Sequence, residues 1–193
     1  MCIDAATPGV QRTPLQLMDG QWVAHLRFQN VPVASAQLLF APDEGFAPLQ
    51  DTVRTAMLAL CAEAFGVMQL LHTTTLDYVK TRKQFGVSIG SFQALQHRLV
   101  DMYSALEQTR SLLYRAVCSA SEGSADAQRD LLALKVMVGK AGRLIGGEAV
   151  QMHGGMGITD ELVVGHGMKR LMVIDASFGN AEVQRARFAA LAA

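Results

Sequence analysis

The chain has 193 residues, 17 Lys+Arg against 17 Asp+Glu, a formal net charge of zero and a pI near 7. That balance excludes the basic footprint by which proteins hold nucleic acid or an anionic membrane. Half of the residues are hydrophobic and 18% are charged, enough apolar side chain for a packed core and a charge load below the ~25% of an average soluble protein. With 10 Met besides, faces covered by something other than water are expected, through oligomerisation or a partner domain. Cys2, Cys61 and Cys118 are an odd set without paired spacing, which suits reduced thiols. No apolar run approaches the roughly 18 residues of a membrane span, and Met1-Cys2-Ile3-Asp4 lacks the regions of a signal peptide. The cytoplasm is the expected compartment.

Residues 20–28, Gly-Gln-Trp-Val-Ala-His-Leu-Arg-Phe, alternate at period two and read as a strand. Val31-Pro32-Val33 and Gln37-Leu38-Leu39-Phe40 are short apolar runs bounded by turn residues and read the same way. Near residue 46, after Ala41-Pro42-Asp43-Glu44-Gly45, the pattern turns helical. Residues 49–83 hold no Pro and one glycine, Gly66, with Val53, Met57, Leu60, Ala64, Val67 and Leu71 three or four apart, the mark of one long amphipathic helix. Residues 86–90 interrupt it. Ser91 is the expected N-cap of a second helix, with Phe92, Leu95, Leu99, Met102, Leu106, Leu113 and Val117 on one stripe. A third is expected over about 125–153. Its Gly139, Gly142, Gly146 and Gly147, each costing up to about 1 kcal/mol relative to Ala, imply close helix approach. Gly154-Gly155 stops it, residues 156–167 read as a turn region, and 168–172 and 182–191 as shorter helical pieces. The expected architecture is mainly α: an up-and-down four-helix bundle over 47–193, preceded by a few strands in 1–46.

The five His, at 25, 72, 97, 153 and 166, show no metal-ligand spacing, so no metal site is expected. No G-x-G-x-x-G follows a strand, and glycines inside a helix at 142–147 cannot cradle a phosphate, which excludes a Rossmann domain. Two stretches carry more. Tyr78-Val79-Lys80-Thr81-Arg82-Lys83-Gln84-Phe85-Gly86, running on to Phe92-Gln93-Ala94-Leu95-Gln96-His97, is a cation-rich helix end, a glycine turn and a helix N-terminus. The cations complement the helix dipole; Arg82 beside unpaired backbone N–H groups equally suits a pyrophosphate. Gln151-Met152-His153-Gly154-Gly155-Met156-Gly157 reads as a C-cap, or as glycines that let a flat or phosphorylated ligand touch the backbone.

These two segments resemble the paired signatures of the acyl-CoA dehydrogenase family, in order and at the family's separation. Ala6-Thr7-Pro8-Gly9-Val10 and Phe28-Gln29-Asn30-Val31-Pro32-Val33, then Gly45-Phe46, resemble the end of that family's middle β domain and the entry into its C-terminal helical domain. The resemblance covers essentially the whole chain and only about the second half of a family member. It implies that 1–46 is the remnant of a truncated β domain and that the chain is a C-terminal part, inactive in isolation. It further implies FAD as cofactor, an acyl-CoA thioester as substrate, and α,β-dehydrogenation, in which a base takes the α proton and the β hydride passes to the flavin. An electron-transfer flavoprotein is the implied electron acceptor, and a homodimer or homotetramer, or a heteromer, the implied assembly. By the same resemblance Arg82 takes the pyrophosphate, Gln84 and Phe85 the flavin side, and Gln93 the adenosine side of a neighbouring subunit's cofactor. Gln151, His153, Gly154 and Gly155 line its ADP part, and Gly179 and Asn180 belong to the cofactor site.

The base departs from the family pattern. The family's usual Glu position, in a turn before the last helix, is occupied by Phe178 in Ser177-Phe178-Gly179-Asn180, which cannot accept a proton. A second family position, early in the first long helix, is occupied by Ala56, with Met57 where many members have Arg. Glu63, two turns on, is a substitute candidate that equally suits a helix ion pair; Asp175 is another. Two alternatives to the dehydrogenase stay open on the residues: a non-catalytic partner subunit of a heteromeric acyl-CoA dehydrogenase, and a helical interaction module without ligand.

Overall fold

A computed structural model describes residues 1–41 and 43–191; Pro42, inside the turn read at 41–45, and residues 192–193 lie outside them. The chain divides into two compact units, Met1–Val53 and Arg54–Ala193.

In the first unit, β1 (Val10–Gln16) and β2 (Trp22–Phe28) pair antiparallel, with Val10 opposite Phe28 and Gln16 opposite Trp22. Gly20, at φ 84, lets the chain reverse between them. Sequence reading finds β2 and misses β1, whose polar residues and Pro14 argue against a strand. Proline is tolerated because both strands of a two-stranded sheet are edges. Residues 31–33 and 37–40, expected as strands, are not: Ser35–Gln37 is a single 3₁₀ turn, closed by the Ala34 N–H donating to Gln37 Oε1 at 2.8 Å. An apolar run becomes a strand only beside an edge that pairs with it, and neither finds one among the described residues. Every residue of β2 is exposed, Trp22 by 69%.

α1 (Phe46–Thr81) begins one turn earlier than the residue spacing suggests, since Pro48 falls in its first turn, where proline removes no helical hydrogen bond. α2 (Gln93–Ser121), α3 (Ala127–His153), α4 (Val163–Ala176) and α5 (Ala181–Ala190) follow. The buried stripe of α1 is Met57, Cys61, Ala64, Met68, Leu71, Thr75 and Val79; Leu60 and Val67, expected on it, sit at its margins. These side chains meet Met102 and Leu106 of α2, Leu134, Val138 and Ile145 of α3, and Leu171 and Ile174 of α4 in one core. As a helix, α1 is long and apolar enough to cross a membrane, although its apolar residues form no uninterrupted run of that length; its buried stripe is what joins it to the bundle.

The α3 glycines act as expected at two of four positions. A Cβ at Gly139 would lie 2.2 Å from Asp175 Oδ1, and one at Gly146 3.3 Å from Met168 Cγ, whereas Gly142 has ordinary contact with Leu171 and Gly147 faces open space. The same crowding explains why α4 is longer than the sequence suggests. Gly165 and Gly167 do not break it; they admit Gly157 O at 3.0 Å and Leu71 Cδ2 at 2.8 Å of where a Cβ would stand.

Buried polar groups sit at the joints. Asp130, in the first turn of α3, accepts from Ser119 Oγ at 2.6 Å and Arg115 Nε at 2.8 Å, fixing the α2–α3 connection. Burial opposes its ionisation, but these two donors outweigh it and hold the carboxyl below its usual range. Burial pushes the Cys61 thiol up to about 12, outweighing the opposing charge of Lys135, so it is a neutral core side chain. Cys2 and Cys118 are exposed, and all three cysteines are thiols.

Candidate functional site

At the end of α1 the backbone of Arg82 is held on both sides: its N–H donates to Tyr78 O at 2.8 Å and its carbonyl accepts from Ile89 N at 2.9 Å. Between them, β3 (Lys83–Gln84) and β4 (Val87–Ser88) form a hairpin whose turn is Phe85-Gly86, at φ 52 and 82. Two successive left-handed residues make the tight turn whose twist matches a hairpin, and phenylalanine is an unusual choice for the first. Its ring is 91% exposed and lies edge-on to Phe92 with centroids 6.3 Å apart. The hairpin base is seated on α1 by Ser88 Oγ, which donates to Val79 O at 2.7 Å, and by Gly90, where a Cβ would stand 3.0 Å from the same oxygen.

Ser91 does not cap α2, contrary to the sequence reading. Its hydroxyl donates back to Ser88 O at 2.7 Å, and the N-cap is Phe92, whose side chain makes no capping bond to the first turn. A helix start without a side-chain cap leaves amide donors directed outward, a ready anion site. Gln93, Lys80, Arg82, Lys83 and Gln84 are exposed.

At the end of α3, Gly154 takes φ 63 and its N–H closes onto Val150 O and Gln151 O, after which Gly154–Ile158 runs as a 3₁₀ turn. Gln151, Gly154 and Gly155 are exposed, and nothing lies within 4 Å of where a Cβ on either glycine would be. His153 points the other way. It is 4% exposed, its Nδ1 lies 2.8 Å from Ala149 O, and its ring stacks on Tyr78 at 4.2 Å and 23°. Tyr78 is one turn before Arg82, so this stack brings the Arg82 hairpin and the 151–155 loop to one end of the bundle.

The other predicted residues lie elsewhere. Phe178, Gly179 and Asn180 form the α4–α5 turn, anchored to α3 at Lys135 by bonds from Nζ to Ile174 O (3.0 Å) and Asp175 O (2.8 Å). Lys135 precedes His153 by 18 positions, which at 1.5 Å per residue separates the two groups by about 27 Å along α3. Asn180 Oδ1 accepts from Val183 N at 3.1 Å and so caps α5. The two substitute carboxylates are both engaged. Glu63 is forked onto Arg170, with Oε2 accepting from Nη2 at 2.8 Å, and Asp175 accepts from Arg143 Nη2 at 2.9 Å and Ala181 N at 3.0 Å. Their geometry is that of helix-to-helix ties, the alternative open for Glu63 in the sequence. Ala56 is half-buried, and Met57 packs with Leu131 and Leu132.

Residues 43–192 match the family model described as acyl-CoA dehydrogenase, C-terminal domain. The chain belongs to the acyl-CoA dehydrogenase family. It is 29% identical over 168 residues to the mitochondrial 2-methylacyl-CoA dehydrogenase of Solanum tuberosum, covering 87% of this chain and 40% of that protein. Among solved structures, it superposes on a chain of the ChsE4–ChsE5 complex of Mycobacterium tuberculosis (TM-score 0.88, 26% identity, 97% of this chain and 50% of that one). It superposes equally on PigA solved with FAD and proline (TM-score 0.89, 29% identity, 97% and 50%). The chain thus spans about half the length or less of these proteins.

Sequence reasoning missed Tyr78 as the partner of His153, and the buried pair Lys135 and Gln184. Lys135 left a signal, a lone cation within Leu131-Leu132-Ala133-Leu134-Lys135-Val136-Met137-Val138. Gln184, on a short polar helix, left none.

Proposed function

We propose that the chain is the C-terminal part of an FAD-dependent acyl-CoA dehydrogenase and that its residues hold FAD between copies of the chain. The observation that carries this is the Tyr78–His153 stack. It joins two loops distant in sequence around a cation, a helix start without a side-chain cap, and a glycine ledge with an accessible backbone. That set fits a dinucleotide. Arg82 would take the pyrophosphate by its planar fork, with the first-turn amides of α2 adding donors. Gln93 and Gln151 would bind the adenosine part, Gly154 and Gly155 would let the backbone approach it, and Gln84 and Phe85 would reach the flavin side. His153 would act indirectly, by holding the loop on α1. When bound, FAD supplies the acceptor for the substrate's β hydride.

Gly179 and Asn180 stand about 27 Å from the first group along α3, so both groups are best reconciled with one cofactor if they come from different copies. Residues 1–46 would complete a β domain. Phe178 cannot take the α proton, and Glu63 and Asp175 hold Arg170 and Arg143. We therefore assign proton removal to a group outside these positions and expect the isolated chain not to turn over acyl-CoA. An electron-transfer flavoprotein is the acceptor this reading implies.

The test is the cofactor itself. The intact protein should carry FAD at about one per subunit through gel filtration, at the size of a dimer or larger. A colourless protein that takes up no added FAD would overturn the proposal.

A further inference from the structure

The α4–α5 turn is held by more bonds than a surface turn requires. Lys135 is 0% exposed, and its ammonium donates to the last carbonyls of α4, Ile174 O and Asp175 O, groups that a helix end leaves without partners. Gln184, also 0% exposed, donates from Nε2 to Phe178 O at 2.7 Å and Gly179 O at 3.2 Å. Asp175 Oδ1 accepts from Ala181 N across the turn, and Ser177 Oγ donates to Val173 O at 2.8 Å. What these bonds hold is a left-handed turn: Gly179 at φ 97, which glycine adopts freely, and Phe178 at φ 60, where a side chain is strained. A bulky residue in the left-handed region is uncommon, and such outliers persist only where the surroundings over-determine them. The strain does not serve the core, because Phe178 ends 41% exposed. A turn built for folding alone would carry glycine or asparagine there.

We propose that Lys135 is a positioning residue: through Ile174 and Asp175 it fixes the Phe178-Gly179 turn so that the Phe178 ring is presented as a rigid apolar wall to the acyl-thioester or flavin site. The inference rests on the dehydrogenase reading for what meets the ring, and on the hydrogen bonds alone for how the backbone that carries the ring is held. Lys135 buried among apolar side chains, rather than a second leucine, follows from this role, because leucine carries no donor and the ammonium reaches two carbonyls from inside the core.

The test needs no cofactor and so separates its failure from that of the flavin proposal. Trp22 is the single tryptophan, so Trp22→Phe with Phe178→Trp places one indole on the turn of the full chain. Adding Lys135→Met, or Lys135→Gln and Gln184→Leu should the first not fold, is expected to lower the anisotropy of that indole by at least about a third as its ring gains nanosecond freedom. Leu132→Ala, a core deletion elsewhere on α3, is expected to lower the melting temperature while leaving the anisotropy unchanged. Unchanged anisotropy in the folded Lys135 and Gln184 variants would overturn the proposal, and so would an equal fall in the Leu132→Ala control.

Discussion

Gly139→Val is expected to destabilise the helical unit by about 3 kcal/mol, lowering the melting temperature by roughly 10 °C, whereas Gly147→Ala on the same helix stabilises it by up to about 1 kcal/mol. Both lie on α3 and both gain helix propensity, so the sign is set by what the new atoms meet. At Gly139 even the first carbon would stand 2.2 Å from Asp175 Oδ1 and 2.8 Å from Ala181 Cβ. Asp175 would have to leave Ala181 N and Arg143, its partners at 3.0 and 2.9 Å. Overpacking costs about 1–3 kcal/mol and the stranded donors a similar amount, against which propensity restores less than 1 kcal/mol. At Gly147 nothing lies within 4 Å of a Cβ. Thermal melts of the two variants check the pair, and equal effects would mean that α4 and α5 do not close onto α3 as described.

Arg82→Glu is expected to weaken FAD binding by about 100-fold or more with the fold intact. Losing a charge-assisted contact to phosphate is worth about 1.5–3 kcal/mol, and a carboxylate there adds repulsion. The backbone bonds of Arg82 to Tyr78 and Ile89 do not involve the side chain, so stability should change by no more than about 0.5 kcal/mol. Arg82→Lys should lie between, since a point charge replaces a planar fork. FAD titrations beside thermal melts separate the outcomes; unaltered affinity in Arg82→Glu would remove this residue from the site.

The long helices were legible because spacing of three and four survives whatever packs on it, and because glycine and proline stand near their ends. What the sequence hid depends on partners far along the chain. Gly165 and Gly167 read as breakers, yet they are where α4 passes Gly157 and Leu71. Ser91 reads as a cap, but its hydroxyl bonds the preceding turn, and that leaves the start of α2 without a side-chain cap. Val31–Val33 and the run at 37–40 have strand composition and no edge to join. The site divides the same way. Arg82 and the 151–155 glycines announce themselves by local chemistry, whereas the inward turn of His153 follows from Tyr78, 75 positions away, and could be read only once both helices were packed.

The central claim is that the Arg82 hairpin and the 151–155 loop grip one dinucleotide. Hydrogen exchange of the intact protein with and without FAD tests it most directly. The account predicts slowed exchange in both segments together, at 83–96 and 153–157, with Arg82→Glu abolishing both effects. Protection confined to other parts of the chain, or in neither segment while FAD remains bound, would contradict it.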